Sequence, residues 1–104
     1  DLKKAVKSQA ALHHATVVLI EDKASGSSLI QELRAEGFSI VQAAPALEGD
    51  KVTRLRGQTA KIEGGFVLFP KKADWLELYL GELLSFPNAR TTDQVDSTVF
   101  ALAW

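Results

Sequence analysis

The chain has 104 residues, of which 46% are hydrophobic and 24% charged, and its formal net charge is -1. This balance excludes a disordered tail and a wholly basic nucleic-acid-binding arm. No apolar run approaches the ~20 residues that a membrane-spanning helix needs, and the lack of cysteine excludes disulfides, zinc-thiolate sites and cysteine nucleophiles. We therefore expect a soluble globular chain in which any metal is held by carboxylates or histidines.

The sequence indicates one domain over residues 1–104, because glycines and prolines are scattered between periodic segments and do not gather into a linker. It begins at Asp1 and contains no methionine, which favours a piece of a longer protein.

The first half of the chain alternates between predicted helices and strands. Apolar residues at helical spacing predict helices over residues 1–14 and 27–36, the second stopped by Gly37. The β-branched apolar run at residues 16–20 predicts a strand buried on both faces, and residues 38–41 predict a short second strand. Strand, helix and strand in this order are typical of a βαβ unit with parallel strands.

The second half is predicted to contain helices with one short extended piece. Residues 50–63 favour a helix, and residues 66–69 favour an extended segment before Pro70. The next helix is expected to carry an apolar stripe and the last helix an apolar face, formed by Trp75, Leu78, Tyr79 and Leu83 and by Val95, Val99 and Leu102.

Two of these helices start with the spacing of a capping box. The pairs are Asp74 with Glu77, and Thr91 with Gln94.

Acidic residues stand at two positions that favour ligand binding. Glu21 follows the first predicted strand, at the end where open α/β sheets place their ligands. Asp93 and Asp96 are neighbours on one surface of the last predicted helix. If that helix packs near the strand end, these carboxylates converge and need a cation, and hard oxygen ligands select Mg²⁺ or Mn²⁺. The simpler alternative is a solvated loop acid and two aspartates that complement a helix dipole.

Positive charge is concentrated in residues 51–72, where six basic residues face the single acid Glu63. Such a stretch can follow a phosphate backbone and bind it without base specificity. A solvated helix face is the alternative. The candidate DNA contacts are Lys51, Arg54, Arg56 and Lys61.

Several stretches, taken in order and spacing, resemble the C-terminal nuclease domain of the phage terminase large subunit, in the phage and prophage terminase-like family. They are Val18-Leu-Ile-Glu-Asp-Lys-Ala-Ser-Gly26 with Leu29-Ile-Gln-Glu-Leu33, Gly49-Asp-Lys-Val-Thr-Arg54, Ile62-Glu-Gly-Gly-Phe-Val-Leu-Phe-Pro70, residues 75–82, and Phe86-Pro-Asn88 followed by Asp93-Gln-Val-Asp96.

The resemblance implies an α/β, ribonuclease H-like (retroviral integrase-like) fold and a metal-dependent endonuclease. Such a domain cuts concatemeric double-stranded DNA by two-metal hydrolysis with Mg²⁺ or Mn²⁺, in the cytoplasm of a bacterial host. In the full-length protein its partners are the portal and the small terminase subunit, and no membrane is involved. The family pattern makes Glu21, Asp93 and Asp96 the catalytic and metal-binding residues.

Two departures from the family pattern leave alternatives open. The acid of the family's opening strand has no counterpart, so the domain is expected to be N-terminally truncated and the isolated chain to cleave DNA weakly or not at all. Thr91 and Thr92 stand where the family usually shows a histidine and an aspartate. A catalytically degenerate DNA-binding or docking module from a prophage is therefore the main alternative, and a resolvase-type nuclease outside packaging is another.

Overall fold

The computed structural model describes all residues from Asp1 to Trp104, which divide into two units, Asp1–Pro45 and Ala46–Trp104. The first unit contains α1 (Leu2–Leu12), β1 (Val18–Ile20), α2 (Ser25–Ala35) and β2 (Val41–Ala43). The second contains α3 (Lys51–Arg56), α4 (Thr59–Glu63), α5 (Leu76–Ser85) and α6 (Asp93–Ala103). None of these helices combines the length and apolar character needed to span a membrane.

The first unit is built on a two-stranded parallel sheet. β1 and β2 pair in parallel with Val18 opposite Val41, which confirms the predicted βαβ unit. The buried side chains of Ile30 and Leu33 on α2 pack with Val41 on β2. The core of this unit therefore lies between α2 and the sheet.

Both strands differ from the prediction. β1 is half-buried along its length, so the expectation of a strand buried on both faces is wrong. The second strand starts at Val41, because Phe38 belongs to the end of α2: its N–H bonds the Leu33 carbonyl at 2.9 Å after Gly37, which has φ 84°. This pattern is a Schellman motif, and it uses the backbone that the predicted strand would have needed.

An ion-pair cluster links α1 to the end of α2. Lys3 and Lys7 each place their ammonium nitrogen 2.6 Å from Glu36. Hydrogen bonds from Lys3 and then Lys7 lower the pKa of Glu36 to about 2. The two helices of the first unit are thus joined at the surface by charge.

The second unit begins with two short helices in place of the single helix predicted over residues 50–63. The Asp50 side chain caps α3 by accepting the Thr53 N–H at 2.9 Å, and this bond holds the pKa of Asp50 below its usual range. α3 ends at Arg56 with Gly57 as its C-cap, and the next N–H, that of Gln58, bonds the Leu55 carbonyl three residues back, so the series of helical hydrogen bonds is interrupted. Glycine at this position favours the break because it is a poor helix former.

The predicted apolar faces of the two long helices fare differently. Val95 and Val99 of α6 are buried as predicted, with Leu102 half-buried. Of the stripe predicted for α5, Tyr79 and Leu83 are half-buried, but the prediction is wrong for Leu78, which is 76% exposed, and for Trp75, which is 51% exposed. The one buried residue of α5 is an acid, Glu82.

The segment between the helix pairs is irregular. Residues 66–69 form no strand, and Phe66 and Leu68 are exposed. The Phe69 ring lies 6.0 Å from the Tyr79 ring, which also meets Trp75 edge-on at 5.9 Å. These aromatic contacts tie the segment to the face of α5.

Candidate active site and DNA-contact residues

Glu21 and Asp22 lie directly after β1 and are exposed. The turn that follows them is tight. A side chain on Gly26 would overlap the Glu21 carbonyl oxygen, and Ala24 has φ 53° and ψ -128°, a conformation that L-residues rarely adopt. The backbone that carries Glu21 is therefore held by the first turn of α2, and only glycine fits at position 26 without a shift.

Asp93 and Asp96 both lie in the first turn of α6, as the sequence predicts. Asp93 is exposed, whereas the Asp96 side chain is 34% exposed. Acids at this end of a helix interact favourably with its dipole. Thr92 is the N-cap residue, but its hydroxyl does not cap the helix, so the predicted capping box at Thr91 and Gln94 is not formed.

The Thr92 hydroxyl instead joins Lys51 to Asp96. The Lys51 Nζ donates to Thr92 Oγ1 at 2.6 Å, and Thr92 Oγ1 donates to Asp96 Oδ2 at 3.2 Å. The ammonium nitrogen also lies 3.6 Å from Asp96 Oδ2. One of the candidate DNA contacts is therefore paired with one of the candidate metal ligands.

Glu82 caps α6 from the neighbouring helix. Its Oε2 accepts the Val95 N–H at 2.7 Å, and its Oε1 accepts the Thr91 hydroxyl at 3.2 Å. The residue is only 7% exposed. Because a buried carboxylate is tolerated only when it is hydrogen-bonded, this contact fixes the start of α6, where Asp93 and Asp96 stand. The Thr91 hydroxyl donates to Glu82 and does not cap α6.

Lys61 and Arg54 also have partners within the second unit. The Lys61 ammonium donates to the Leu102 carbonyl near the end of α6, and Arg54 Nε donates to the Gly49 carbonyl at 3.1 Å. Arg56 is exposed and lies near enough to Asp50 to contribute to its lowered pKa. A cation at a helix C-terminus interacts favourably with the dipole, so Lys61 has a structural role in addition to the predicted role in DNA binding, which stays a prediction.

The predicted metal ligands belong to different units, Glu21 to the first and Asp93 and Asp96 to the second. Neither unit has a group of three or more His, Asp or Glu side chains placed to hold one metal ion. The carboxylate oxygens themselves are donors of the kind that Mg²⁺ and Mn²⁺ prefer. The residues therefore fit such a cation in their chemistry, and their convergence on a common ion stays a prediction.

Sequence reasoning did not identify Glu82 or the pairing of Lys51 with Asp96. A signal for Glu82 exists: it stands three residues after Tyr79 on the same helix face, so a stripe read as apolar contains an acid. A charged residue on the apolar face of a helix is buried with its neighbours, so it needs a hydrogen-bond partner there. No local pattern indicates the pairing of Lys51, because its partner Thr92 lies 41 residues away along the chain.

The model of one protein family, described as the terminase RNaseH-like domain, matches residues 2–103. No curated protein and no solved structure matches the chain.

Proposed function

The chain belongs to the terminase RNaseH-like domain family, and we propose that it is the metal-dependent endonuclease domain of a phage DNA-packaging terminase. Its substrate is concatemeric double-stranded DNA, and its fold is the integrase-like form of the ribonuclease H architecture. The observation that carries the proposal is the family match over nearly the whole chain. The strand-end acid Glu21 and the two aspartates in the first turn of α6 support it.

Glu21, Asp93 and Asp96 are the proposed ligands of Mg²⁺ or Mn²⁺. Two such ions would supply an activated water and stabilise the leaving oxygen in phosphodiester hydrolysis. The chain's own residues set the position of these acids. Gly26 lets α2 approach the backbone of Glu21, and the Glu82 carboxylate holds the first turn of α6.

Basic residues of α3 and α4 are the proposed contacts to the DNA backbone. Arg54 and Arg56 lie in the last turn of α3, and Lys51 and Lys61 each keep a partner on α6 or at its start. Contacts of this kind bind phosphate and carry no base information. They position a duplex for cutting, but they do not select the DNA sequence at which it is cut.

A catalytically degenerate docking module is the second candidate, and one observation favours it. Thr91 and Thr92 supply hydroxyls where the resembled pattern has an imidazole and a carboxylate, and both hydroxyls are used in internal hydrogen bonds. In such a module the ammonium group of Lys51 would remain paired with Asp96 where the nuclease binds a metal ion. The chain would then bind DNA without cutting it.

Cleavage of supercoiled plasmid DNA in the presence of Mn²⁺ separates the two candidates. We expect the purified chain to nick the plasmid slowly, and Glu21→Gln and Asp93→Asn each to lower the nicking rate at least ~10-fold. Changes to residues that only hydrogen-bond metal ligands already cause a loss of about this size. Asp22→Asn is the matched control, since it makes the same charge change beside Glu21. Mn²⁺-dependent nicking that Glu21→Gln and Asp93→Asn remove and Asp22→Asn keeps would exclude the docking module. Nicking that all three variants keep would contradict Glu21 and Asp93 as metal ligands.

A further inference from the structure

We propose that Lys51 competes with a divalent cation for Asp96, so that the ammonium group occupies this carboxylate until the cation displaces it. The inference rests on the proposed function, in which Asp96 is a metal ligand. It goes beyond that function because it gives Lys51 a role in setting the cation affinity of the site, which is separate from any contact with DNA.

Two donors converge on one oxygen atom of Asp96. The Thr92 hydroxyl donates to Oδ2 at 3.2 Å, and the Lys51 Nζ lies 3.6 Å from the same Oδ2. Lys51 also donates to Thr92 Oγ1 at 2.6 Å, which closes a triangle of three polar groups. Thr92 is only 9% exposed, so the hydroxyl between the two charged groups is fixed by its surroundings.

A divalent cation at this oxygen is incompatible with the triangle. Metal–oxygen distances are roughly 2.0–2.6 Å for Mg²⁺ and Ca²⁺, so a cation on Oδ2 would stand within a few ångströms of the ammonium group. Like charges at that separation repel strongly in a partly desolvated site. The carboxylate therefore has two alternative partners, Lys51 or the cation.

Displacement of Lys51 requires little free energy. Its side chain is 55% exposed, so the ammonium group can leave Asp96 and regain full hydration. An exposed ion pair of this kind is weak, so it lowers the affinity for the divalent cation by only a small factor. Lys51 thus lowers the affinity of Asp96 for the divalent cation but does not prevent the cation from binding.

The test is a Mn²⁺ titration of the whole chain followed by NMR, in which a bound ion broadens the amide signals of Asp93 and Asp96. We expect Lys51→Met to reach half-broadening at ~2- to 5-fold lower Mn²⁺, the range that corresponds to loss of an exposed ion pair. Lys51→Arg keeps the charge and should match the unchanged chain. Lys71→Met is the control, since Lys71 is an exposed lysine of the same unit without an ion-pair partner.

Asp96→Asn distinguishes failure of this inference from failure of the proposed function. If Asp96→Asn weakens Mn²⁺ binding but Lys51→Met leaves it unchanged, Lys51 does not compete and the inference alone is overturned. If Asp96→Asn changes nothing, Asp96 is not a ligand, and both the inference and the proposed ligand set are overturned. Equal tightening in Lys51→Met and Lys71→Met would also overturn the inference, because it would reflect overall charge.

Discussion

Glu82 shows how a single buried acid can determine the position of other residues. Its carboxylate accepts the Val95 N–H at 2.7 Å, which satisfies one of the free backbone donors at the start of α6. The negative charge also lies at the positive end of the helix dipole. A charge that would be costly if unpaired therefore stabilises the turn that carries Asp93 and Asp96.

Replacing Glu82 with alanine is expected to lower the free energy of unfolding by about 1–3 kcal/mol, because a buried N–H is left without its acceptor. Urea denaturation followed by circular dichroism measures this decrease. Glu82→Gln should be less destabilising, since an amide oxygen can still accept the bond. Glu77→Ala, an exposed acid on the same helix, is the control, and an equal decrease there would contradict the capping role.

Gly26 is the residue on which the backbone geometry at Glu21 depends. Alanine at this position would overlap the Glu21 carbonyl oxygen, and a backbone atom cannot move aside as the end of a flexible side chain can. We expect Gly26→Ala to destabilise the first unit and to shift the amide signals of Glu21 and Asp22 in NMR spectra. Gly81→Ala is the control because open space surrounds that position. Unchanged Glu21 signals in a folded Gly26→Ala chain would contradict the close approach.

At the scale of elements, charge joins α1 to α2 through Glu36, and this joint is sensitive to acid. The pKa of Glu36 is lowered from 4.5 to about 2 by hydrogen bonds from Lys3 and Lys7. Between these two values the unfolded chain binds the proton and the folded chain does not, so stability falls as the pH falls. Above this window the contribution of Glu36 is fully present.

We therefore expect the unfolding free energy to fall as the pH is lowered from about 5 towards 2, and to fall less steeply in Glu36→Gln. Denaturant titrations at a series of pH values measure both slopes. Glu32→Gln is the matched control, since Glu32 lies one turn earlier on α2, at 3.9 Å from Lys3 and outside hydrogen-bond distance. Parallel curves for Glu36→Gln and the unchanged chain would show that the cluster does not form in solution.

At the scale of the whole molecule, the charge is almost balanced overall but uneven along the chain, with twelve basic and thirteen acidic residues in total. The basic residues of α3 and α4 differ in what they already contact. Lys51 and Lys61 bind groups of α6 or its N-cap, whereas Arg56 has an exposed side chain. The same residues thus serve the packing of the second unit and remain the proposed contacts to DNA.

Replacing Lys51, Arg54 and Arg56 together with alanine should weaken binding of unrelated duplexes to a similar degree, because phosphate contacts carry no base information. The slope of log affinity against log salt should also flatten, by close to one unit for each lysine or arginine that neutralises a phosphate in the unchanged chain. Fluorescence anisotropy at several salt concentrations measures both quantities, with circular dichroism as the check of folding. A folded triple variant with unchanged affinity and slope would place these residues away from DNA.

The features that could be predicted from the sequence are those that depend on neighbouring residues. Apolar periodicity and the glycine at position 37 predict the strand, helix and parallel strand of the first unit, because these features depend on residues a few positions apart. The two aspartates at the start of α6 and its buried valines follow from the same short-range pattern. The ordered motifs also predict the family, which the match over residues 2–103 confirms.

Which side chains meet across long stretches of chain depends on the packing of the folded protein. Glu82 reaches the start of α6 across 13 residues, and Lys51 reaches Thr92 across 41. The exposure of Leu78 and Trp75 likewise depends on which face of α5 has a neighbour, and periodicity alone does not specify that neighbour. A hydrogen bond or ion pair needs two groups within a few ångströms, and for residues distant in sequence that proximity is a property of packing.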